Sequence, residues 1–513
     1  MLRTDLIAPL HVLLRRNAEE HPNKIAYRDA RRSTTYGEIE KTTEKLAGHL
    51  ADLGLKPGDS VAIWLPNSVE WIEASFSVTR AGGVGVPISY EATDSEVLYR
   101  LDDANCGVLI TTDERAELLS RAKAESVRTV ILVDRGEAKA DGLRFNDLRN
   151  RQPSSKPLDS DAIDAPAYLV YTSGTTGRAK GVILTVHGML WVVASCWAPI
   201  AGLSKKDYVL SPLPLFHSYA LNLSVLGVLA TGATEYILEK YSTADVLKVL
   251  ESEPISFFPG VPTMFHYLLE GAGKESATKF KSVRLCVSAG AIMPATLNRE
   301  FETATGVQLL DGYGITETST MVTMNWQTGG RTLGSCGLAI PGCMTRIVDP
   351  STGDDVPYCS EGELIVRGPN VMLGYHNKPE ETAAALRKGW YHTGDLAKSD
   401  PNGFLTITGR LKELIIRGGQ NIAPAEIEEV VSTHETVLDC AVIGAPHDKL
   451  GEVPVIFIVP RAAATFNAET LLAHCKKHLS SYKVPSDIKI IDQIPRTGSG
   501  KIMRFKLKDK LDA

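Results

Sequence analysis

No C-x-x-C pair occurs in the 513 residues, and the eight cysteines (Cys106, Cys196, Cys286, Cys336, Cys343, Cys359, Cys440, Cys475) are scattered singly, with no pair of cysteines beside a pair of histidines of the zinc-finger type. That argues against a disulfide framework and a structural zinc site, and it suits a reducing compartment with most of these thiols as small core residues. No apolar run reaches the roughly 18 residues a membrane-spanning helix requires. The first twenty residues, MLRTDLIAPLHVLLRRNAEE, carry Arg3, Arg15 and Arg16 beside apolar residues. Asp5, Pro9 and His11 interrupt that run and no small-residue cleavage site follows, so the stretch reads as an amphipathic first helix of a cytoplasmic protein. A net charge of −6 supplies no basic field, and nucleic acid is not an expected partner. Internal repeats and low-complexity tracts are also missing.

What is present is an ordinary globular composition, 43% hydrophobic and 23% charged, in a chain too long for one core. IEKTTEKLAGHLADLGLKPGD has helical spacing and ends at glycine, VAIWLP is a short strand, and SVEWIEASFSVTRAG is a second helix. The alternation recurs at TADVLKVLESEPISFFPGVPTMFHYLLEGAG and VRLCVSAGAIMPATLNREFETATGVQLLDGYG, and predicts covered parallel sheets with functional loops at the strand ends. From about Gly334 short strands separated by turns (TRIVD, GELIVRG, GFLTITG) predict an antiparallel β lobe. Beyond GFLTITGRLKE, the stretches AEIEEVVSTHE, LDCAVIGAP, VPVIFIVP and LLAHCKKHLSSYK make a second unit, with the joint at Lys412; the expected domains are 1–411 and 412–513.

Four stretches could carry chemistry. YTSGTTGRAKGV combines Thr172, Ser173, Gly174, Thr175, Thr176, Gly177 and Lys180: glycines that free backbone N–H groups, hydroxyl donors, and a cation, which together suit a polyphosphate. Its G-x-x-G-x-x-K order lacks the Ser/Thr after lysine and the spacing of a P-loop, so a Walker-type nucleotidase is excluded; a glycine-rich surface turn is the plainer alternative. DGYGITETS offers the ring of Tyr313 for a base, Thr316 for phosphate and Glu317 for a metal ion, or simply a helix capped by Thr316. In WYHTGDL, Asp395 could accept from ribose hydroxyls or could be a turn residue. PRTGSGKIMR presents Lys501 on a glycine-serine tip, where it is either solvated surface or a charge delivered to a developing anion.

In this order and over this length, these stretches resemble the acyl-adenylate-forming superfamily of acyl-CoA synthetases, aryl-CoA ligases, luciferases and adenylation domains, from about Leu13 to Lys510. GPNVMLGYHNKPEET, GWYHTGDL, GRLKELIIRGGQNIAPAEIE, FFPGVPTM and RLCVSAGAIMP are most similar to bacterial fatty-acyl-CoA and 4-coumarate-like ligases. The resemblance implies an α/β fold: a large N-terminal domain of two βα-sheet subdomains plus a small β lobe, and a small mobile α+β C-terminal domain. It also implies an acid–thiol ligase that uses ATP, Mg2+ and coenzyme A. A carboxylate would attack the α-phosphorus to give acyl-adenylate and pyrophosphate, and the thiol of CoA would then displace AMP.

Residue by residue, the resemblance implies that Thr172 to Gly177 and Lys180 cradle the β and γ phosphates. Gly290, Ala291, Asp311 and Gly312 would line the base site, with Tyr313 stacked on adenine. Thr316 would touch the α-phosphate, Glu317 the magnesium ion, and Asp395 and Arg410 the ribose. Lys501 would stabilise the adenylation transition state, and Lys412 would be the hinge. Gly418 and Gly419 would face the CoA tunnel, although a β-turn pair is compatible with the same residues. His217 would gate the path between nucleotide and acid. Ala179, Val186 with His187 displaced by one, and Ile416 depart from the family pattern without removing a catalytic group.

The acid pocket implied by this alignment comprises His217, Tyr219, Ala220, Asn222, Pro259, Gly260, Val261, Pro262, Thr263, Ser288, Gly314, Ile315 and Met321. With no Arg or Lys among these residues, an uncharged tail is favoured over a dicarboxylate. The leading expectation is a medium- or long-chain fatty acid as substrate. The alternatives are an aryl or cinnamate-type acid, an acyl-AMP ligase that loads an acyl carrier protein, and an idle binding protein, against which Lys501, Glu317 and the intact loop argue. A homodimer is a family-level expectation.

Overall fold

Helices and strands alternate through the first 330 residues, and in the computed structural model they assemble two parallel-rich sheets flanked by helices. The structure describes residues 2–120, 124–135, 140–172, 179–461, 466–497 and 501–511. The first sheet has eight strands with Ser60–Trp64, Val84–Pro87, Val108–Thr112 and Thr129–Val133 parallel at its centre. The second has nine, and its Tyr208–Ser211, Phe257–Gly260, Leu285–Ser288 and Leu309–Tyr313 strands run parallel side by side. One apolar core spans both sheets, taking Val61 and Ile63 from one, Phe257 and Leu285 from the other, and Leu13, Trp71 and Phe76 from helices between them.

Local chemistry sets the helix boundaries. Thr35 and Glu38 close a reciprocal capping box on Tyr36–Asp52, which ends just before Gly54 at φ +85°; the side chain of Ser68 accepts from Trp71 N at 3.2 Å to start Val69–Arg80; and Pro262 occupies the first turn of Pro262–Ala272. The turn-rich region forms the expected antiparallel lobe, with Met344–Val348, Gly362–Arg367, Trp390–Ser399 and Leu405–Arg410 in one sheet. After the single turn Leu411–Glu413 comes a five-stranded mixed sheet with, among the described residues, three helices, Pro424–Ser432, Ala468–His478 and the short Arg504–Lys508. Its apolar clusters draw only on residues 415–511.

Two features have no counterpart in the sequence reading. Val193–Trp197 and Leu221–Gly227 are wound as π-helices, a rare geometry that recurs near functional sites. In addition, the two-residue strand Gly374–Tyr375 leaves the β lobe and pairs with Lys180–Thr185 at the edge of the first sheet.

The segment leading into the strand Pro166–Thr172 is held by a buried arginine. Arg80, with no exposed side-chain surface, donates to both carboxylate oxygens of Asp159 at 2.8 and 3.0 Å and to Glu40 O and Thr43 Oγ1. A guanidinium in that position cannot go without its anion, and Arg15 also pairs with Asp159. Asp159→Ala should therefore lower unfolding free energy by about 3 kcal/mol in a denaturant titration; a loss below about 1 kcal/mol would show that Glu40 alone compensates Arg80.

Candidate active site

The Pro166–Thr172 and Lys180–Thr185 strands form a hairpin whose last pair is Thr172 with Lys180. Ser173, Gly174, Thr175, Thr176 and Gly177 lie outside the described residues. The hairpin is braced from beneath, where the Tyr171 hydroxyl donates to Asp103 at 2.6 Å and that of Tyr99 to Ala179 O at 2.9 Å. Lys180 Nζ lies 5.0 Å from the ring centroid of Tyr375, a cation–π contact brought about by the pairing of Gly374–Tyr375 with this hairpin.

Tyr313 ends a central strand of the second sheet, and its hydroxyl donates to Asp395 Oδ2 at 2.5 Å. The other oxygen of Asp395 accepts from Arg410 Nε at 2.7 Å, because Asp395 and Arg410 face each other in the antiparallel pairing of the lobe. Asp395 is 2% exposed, and each of its oxygens keeps a second lone pair for a ribose hydroxyl. Gly312 and Gly314 are required sterically. A Cβ at 312 would meet Met321 Cε at 2.4 Å, and one at 314 would overlap Thr320 O at 1.4 Å. Gly290 takes φ +89°, and Ala291 is exposed at the end of the neighbouring strand.

Lys501 comes from the other end of the chain. It sits on a short hairpin closed by the Arg496–Ile502 bridge, with its backbone N–H on Thr497 Oγ1 at 3.1 Å. Its ammonium lies among Arg410, Asp395, Glu317 and Glu413; burial and the Arg410 charge lower its pKa, against the pull of the three carboxylates. Burial, reinforced by the Lys501 charge, brings His217 down to about 3, so its imidazole is neutral at physiological pH. His217 Nδ1 accepts from Tyr219 N at 3.3 Å at the start of a helical turn, and in the same turn Ser218 Oγ meets Thr316 Oγ1 at 3.1 Å. Glu317 is held twice: its backbone carbonyl by Met372 N at 2.8 Å, and its carboxylate by the Tyr375 hydroxyl at 3.0 Å.

The residues expected around the acid are largely buried. Val261 is buried and Pro262 starts the helix beside it, while a Cβ at Gly260 would press on the Phe265 ring at 3.0 Å. Ile315 is buried alongside. The Tyr219 ring stacks on Trp197 (centroids 6.0 Å apart, planes at 23°) and its hydroxyl donates to Val287 O at 3.2 Å. Asn222 is wholly buried and its amide is fully engaged, accepting from Trp197 Nε1 at 2.7 Å and donating to Met189 O at 2.9 Å. It therefore joins the two π-helices behind Tyr219 and presents no free polar atom to a ligand. Ser288 and Asp311 are register partners on adjacent parallel strands, so their side chains share one face. Ser288 Oγ and Asp311 Oδ1 are buried and have no hydrogen-bond partner among the described residues. Burial pushes the Asp311 carboxyl well above its usual range.

Gly418 and Gly419 form the exposed two-residue turn between Ile415–Arg417 and Gln420–Ile422, with φ of +58° and +82°, and a Cβ at 419 would meet nothing within 4 Å. In this arrangement the backbone conformation, rather than crowding, explains these glycines. Lys412 is exposed, and its neighbour Glu413 accepts from Arg504 Nε at 2.9 Å, tying the connecting turn to the C-terminal unit.

Among the described residues no group of three or more His, Cys, Asp or Glu is arranged to hold a metal ion. One carboxylate, Glu317, joined through Tyr375 to Lys180, fits magnesium, which is commonly bound by one or two carboxylates and the phosphates of the nucleotide that brings it. Tyr375, Trp197 and Ser218 were not singled out from sequence. GPNVMLGYHN contains Tyr375 in a recognisable motif, whereas nothing in the spacing of Trp197 marks it.

The family model for AMP-binding enzymes matches residues 14–376, and the model for the C-terminal domain of AMP-binding enzymes matches residues 426–501. The chain is 34% identical over 496 residues to a feruloyl-CoA synthase of Amycolatopsis sp (96% of this chain, 97% of that protein). It is also 34% identical over 506 residues to a long-chain-fatty-acid–CoA ligase of Yersinia pestis (93% and 90%). Its fold matches that of the anthranilate CoA ligase AuaEII in complex with anthranoyl-AMP (TM-score 0.91, 26% identity, 99% of each chain) and ATP-bound MatB from Rhodopseudomonas palustris (0.90, 29%, 98% of each chain). The two-domain α/β architecture is that of these proteins, and aryl-acid ligases stand beside the fatty-acid ligases to which the motifs pointed. The chain belongs to the AMP-binding enzymes and is an acid–thiol ligase of their adenylate-forming kind, activating a carboxylic acid with ATP and passing the acyl group to coenzyme A.

Proposed function

We propose that the acid is an uncharged aryl carboxylic acid of the cinnamate or benzoate type, with a hydrogen-bonding substituent on its ring. The reading rests chiefly on the floor of the acid pocket. Tyr219, fixed at both its ring and its hydroxyl, is stacked on the fully buried Trp197, a rigid aromatic pair suited to packing against an aromatic ring. Ser288 Oγ gives a second reason: an alkyl tail would leave it unpaired, at a cost of about 1–3 kcal/mol, whereas a phenol or aniline group would satisfy it. The feruloyl and anthranilate ligases among its relatives agree with this choice. A medium- or long-chain fatty acid is the second reading, favoured by the Yersinia relative and by the sequence motifs.

The chemistry follows from the groups at the site. A carboxylate oxygen of the acid attacks the α-phosphorus, the bond to the bridging oxygen of the β-phosphate breaks, and pyrophosphate leaves. The thiol sulfur of CoA then attacks the acyl carbon and AMP departs. Bound with the nucleotide and met by Glu317, magnesium would neutralise phosphate charge. Lys180 and the loop before it bind the β and γ phosphates, Thr316 contacts the α-phosphate, and Lys501 places a cation where negative charge accumulates in the transition state. Tyr313 stacks on adenine beside Gly290, Ala291 and Gly312, and the Asp395–Arg410 pair holds the ribose. A neutral His217 lets the anionic acid pass without trapping it as an ion pair. For thioester formation the unit from Lys412 onward rotates and turns Gly418 and Gly419 toward the pantetheine arm.

Two measurements test this. Given ATP, magnesium, CoA and a panel of acids, the protein should release pyrophosphate and form thioester with hydroxylated or aminated aryl acids about 10- to 100-fold faster, as kcat/KM, than with unsubstituted aryl acids or palmitate. Palmitate turned over best would sink the aryl reading, and pyrophosphate release without thioester would favour a carrier-protein acceptor. Lys501→Ala should cut the adenylation half-reaction by about 10²- to 10³-fold while leaving CoA transfer from supplied acyl-adenylate near wild type. Equal loss in both halves would refute the role given to Lys501.

A further inference from the structure

Met372 to His376 carries no role so far, yet it touches both sides of the phosphate site. Met372 N holds the backbone of Glu317, Leu373 N donates to Ile183 O at 3.1 Å, and His376 N donates to Gly181 O at 2.8 Å. Thr382 Oγ1 accepts from Tyr375 N at 2.9 Å and so locks the strand from its outer side. Tyr375 thus has a fixed backbone, a ring under the ammonium of Lys180, and a hydroxyl on the carboxylate of Glu317. The buried Tyr391, on the strand that also carries Asp395, is a neighbouring phenol that feels the charge of Glu317 as well.

We propose that Tyr375 is a positioning residue that aims the Glu317 carboxylate at the metal site and couples it to Lys180. The physical case is geometric. A glutamate side chain has three rotatable bonds, and a carboxylate left free to rotate forfeits part of its metal affinity to ordering entropy. One donor at 3.0 Å on Oε1 removes most of that freedom and leaves Oε2 to face the incoming ion. Because the same ring carries Lys180, the cation that meets the outer phosphates and the carboxylate that meets magnesium are set by one rigid side chain, so the two cannot drift apart. This inference rests on the assignment of Glu317 to the metal.

The test is ATP binding by calorimetry with and without magnesium, on the full chain. Tyr375→Phe keeps the ring and removes only the hydroxyl. It should raise the magnesium concentration that gives half of the metal-dependent gain in ATP affinity about tenfold, with metal-free ATP affinity and the melting temperature unchanged. Tyr375→Phe should add nothing in a Glu317→Gln background. An equal loss of ATP affinity with and without magnesium, or an unchanged magnesium dependence, would overturn the inference while leaving the adenylation reading intact. Wild-type protein that binds no ATP in either condition would overturn both.

Discussion

A buried carboxylate must be paired, and Asp395 meets that requirement by joining three parts of the chain. Its partners are Tyr313 from the second parallel sheet and Arg410 from the neighbouring strand of the β lobe, and the ammonium of Lys501 stands within reach of its charge. Without the phenol and guanidinium, the desolvation penalty on a side chain 2% exposed would be several kcal/mol. The clasp therefore fixes the lobe on the sheet, at the edge of the site proposed for the nucleotide.

Much of this was legible in sequence because the information is local. Helical spacing in IEKTTEKLAGHLADLGLKPGD and SVEWIEASFSVTRAG, the glycine that ends the first of them, and turn spacing beyond Gly334 located the elements, and the motifs named Tyr313, Asp395 and Arg410, which the fold joins by hydrogen bond and ion pair. Gly312 and Gly314 were legible as glycines, and their close approach to Met321 and Thr320 explains why. Long-range geometry was not legible. Tyr375 acquires its place from a two-residue strand that pairs with a hairpin nearly two hundred positions away, and no local period announces such a pairing.

The acid pocket shows the same limit in another form. Asn222 was a reasonable pocket residue by motif position, yet its amide is spent on Trp197 and Met189. Conversely, Trp197 carried no motif and becomes the wall on which Tyr219 rests. Chain-length preference is a property of how two helices meet, so motifs shared by fatty-acid and aryl-acid ligases do not decide it. Burial and unpaired polar atoms, visible only in three dimensions, weigh more heavily.

The two π-helices make that wall sensitive to length rather than to composition. An α-helix turns 100° per residue, so removing or adding one residue within Val193–Trp197 or Leu221–Gly227 would rotate everything beyond it by about that angle. Trp197 and Asn222 could then no longer face each other. Substitutions there change the shape of the pocket by degrees, whereas a single deletion exchanges one face of the helix for another. Relatives that differ in substrate are therefore expected to have diverged at this wall by replacing side chains while keeping the residue count between Thr185 and Gly232 fixed.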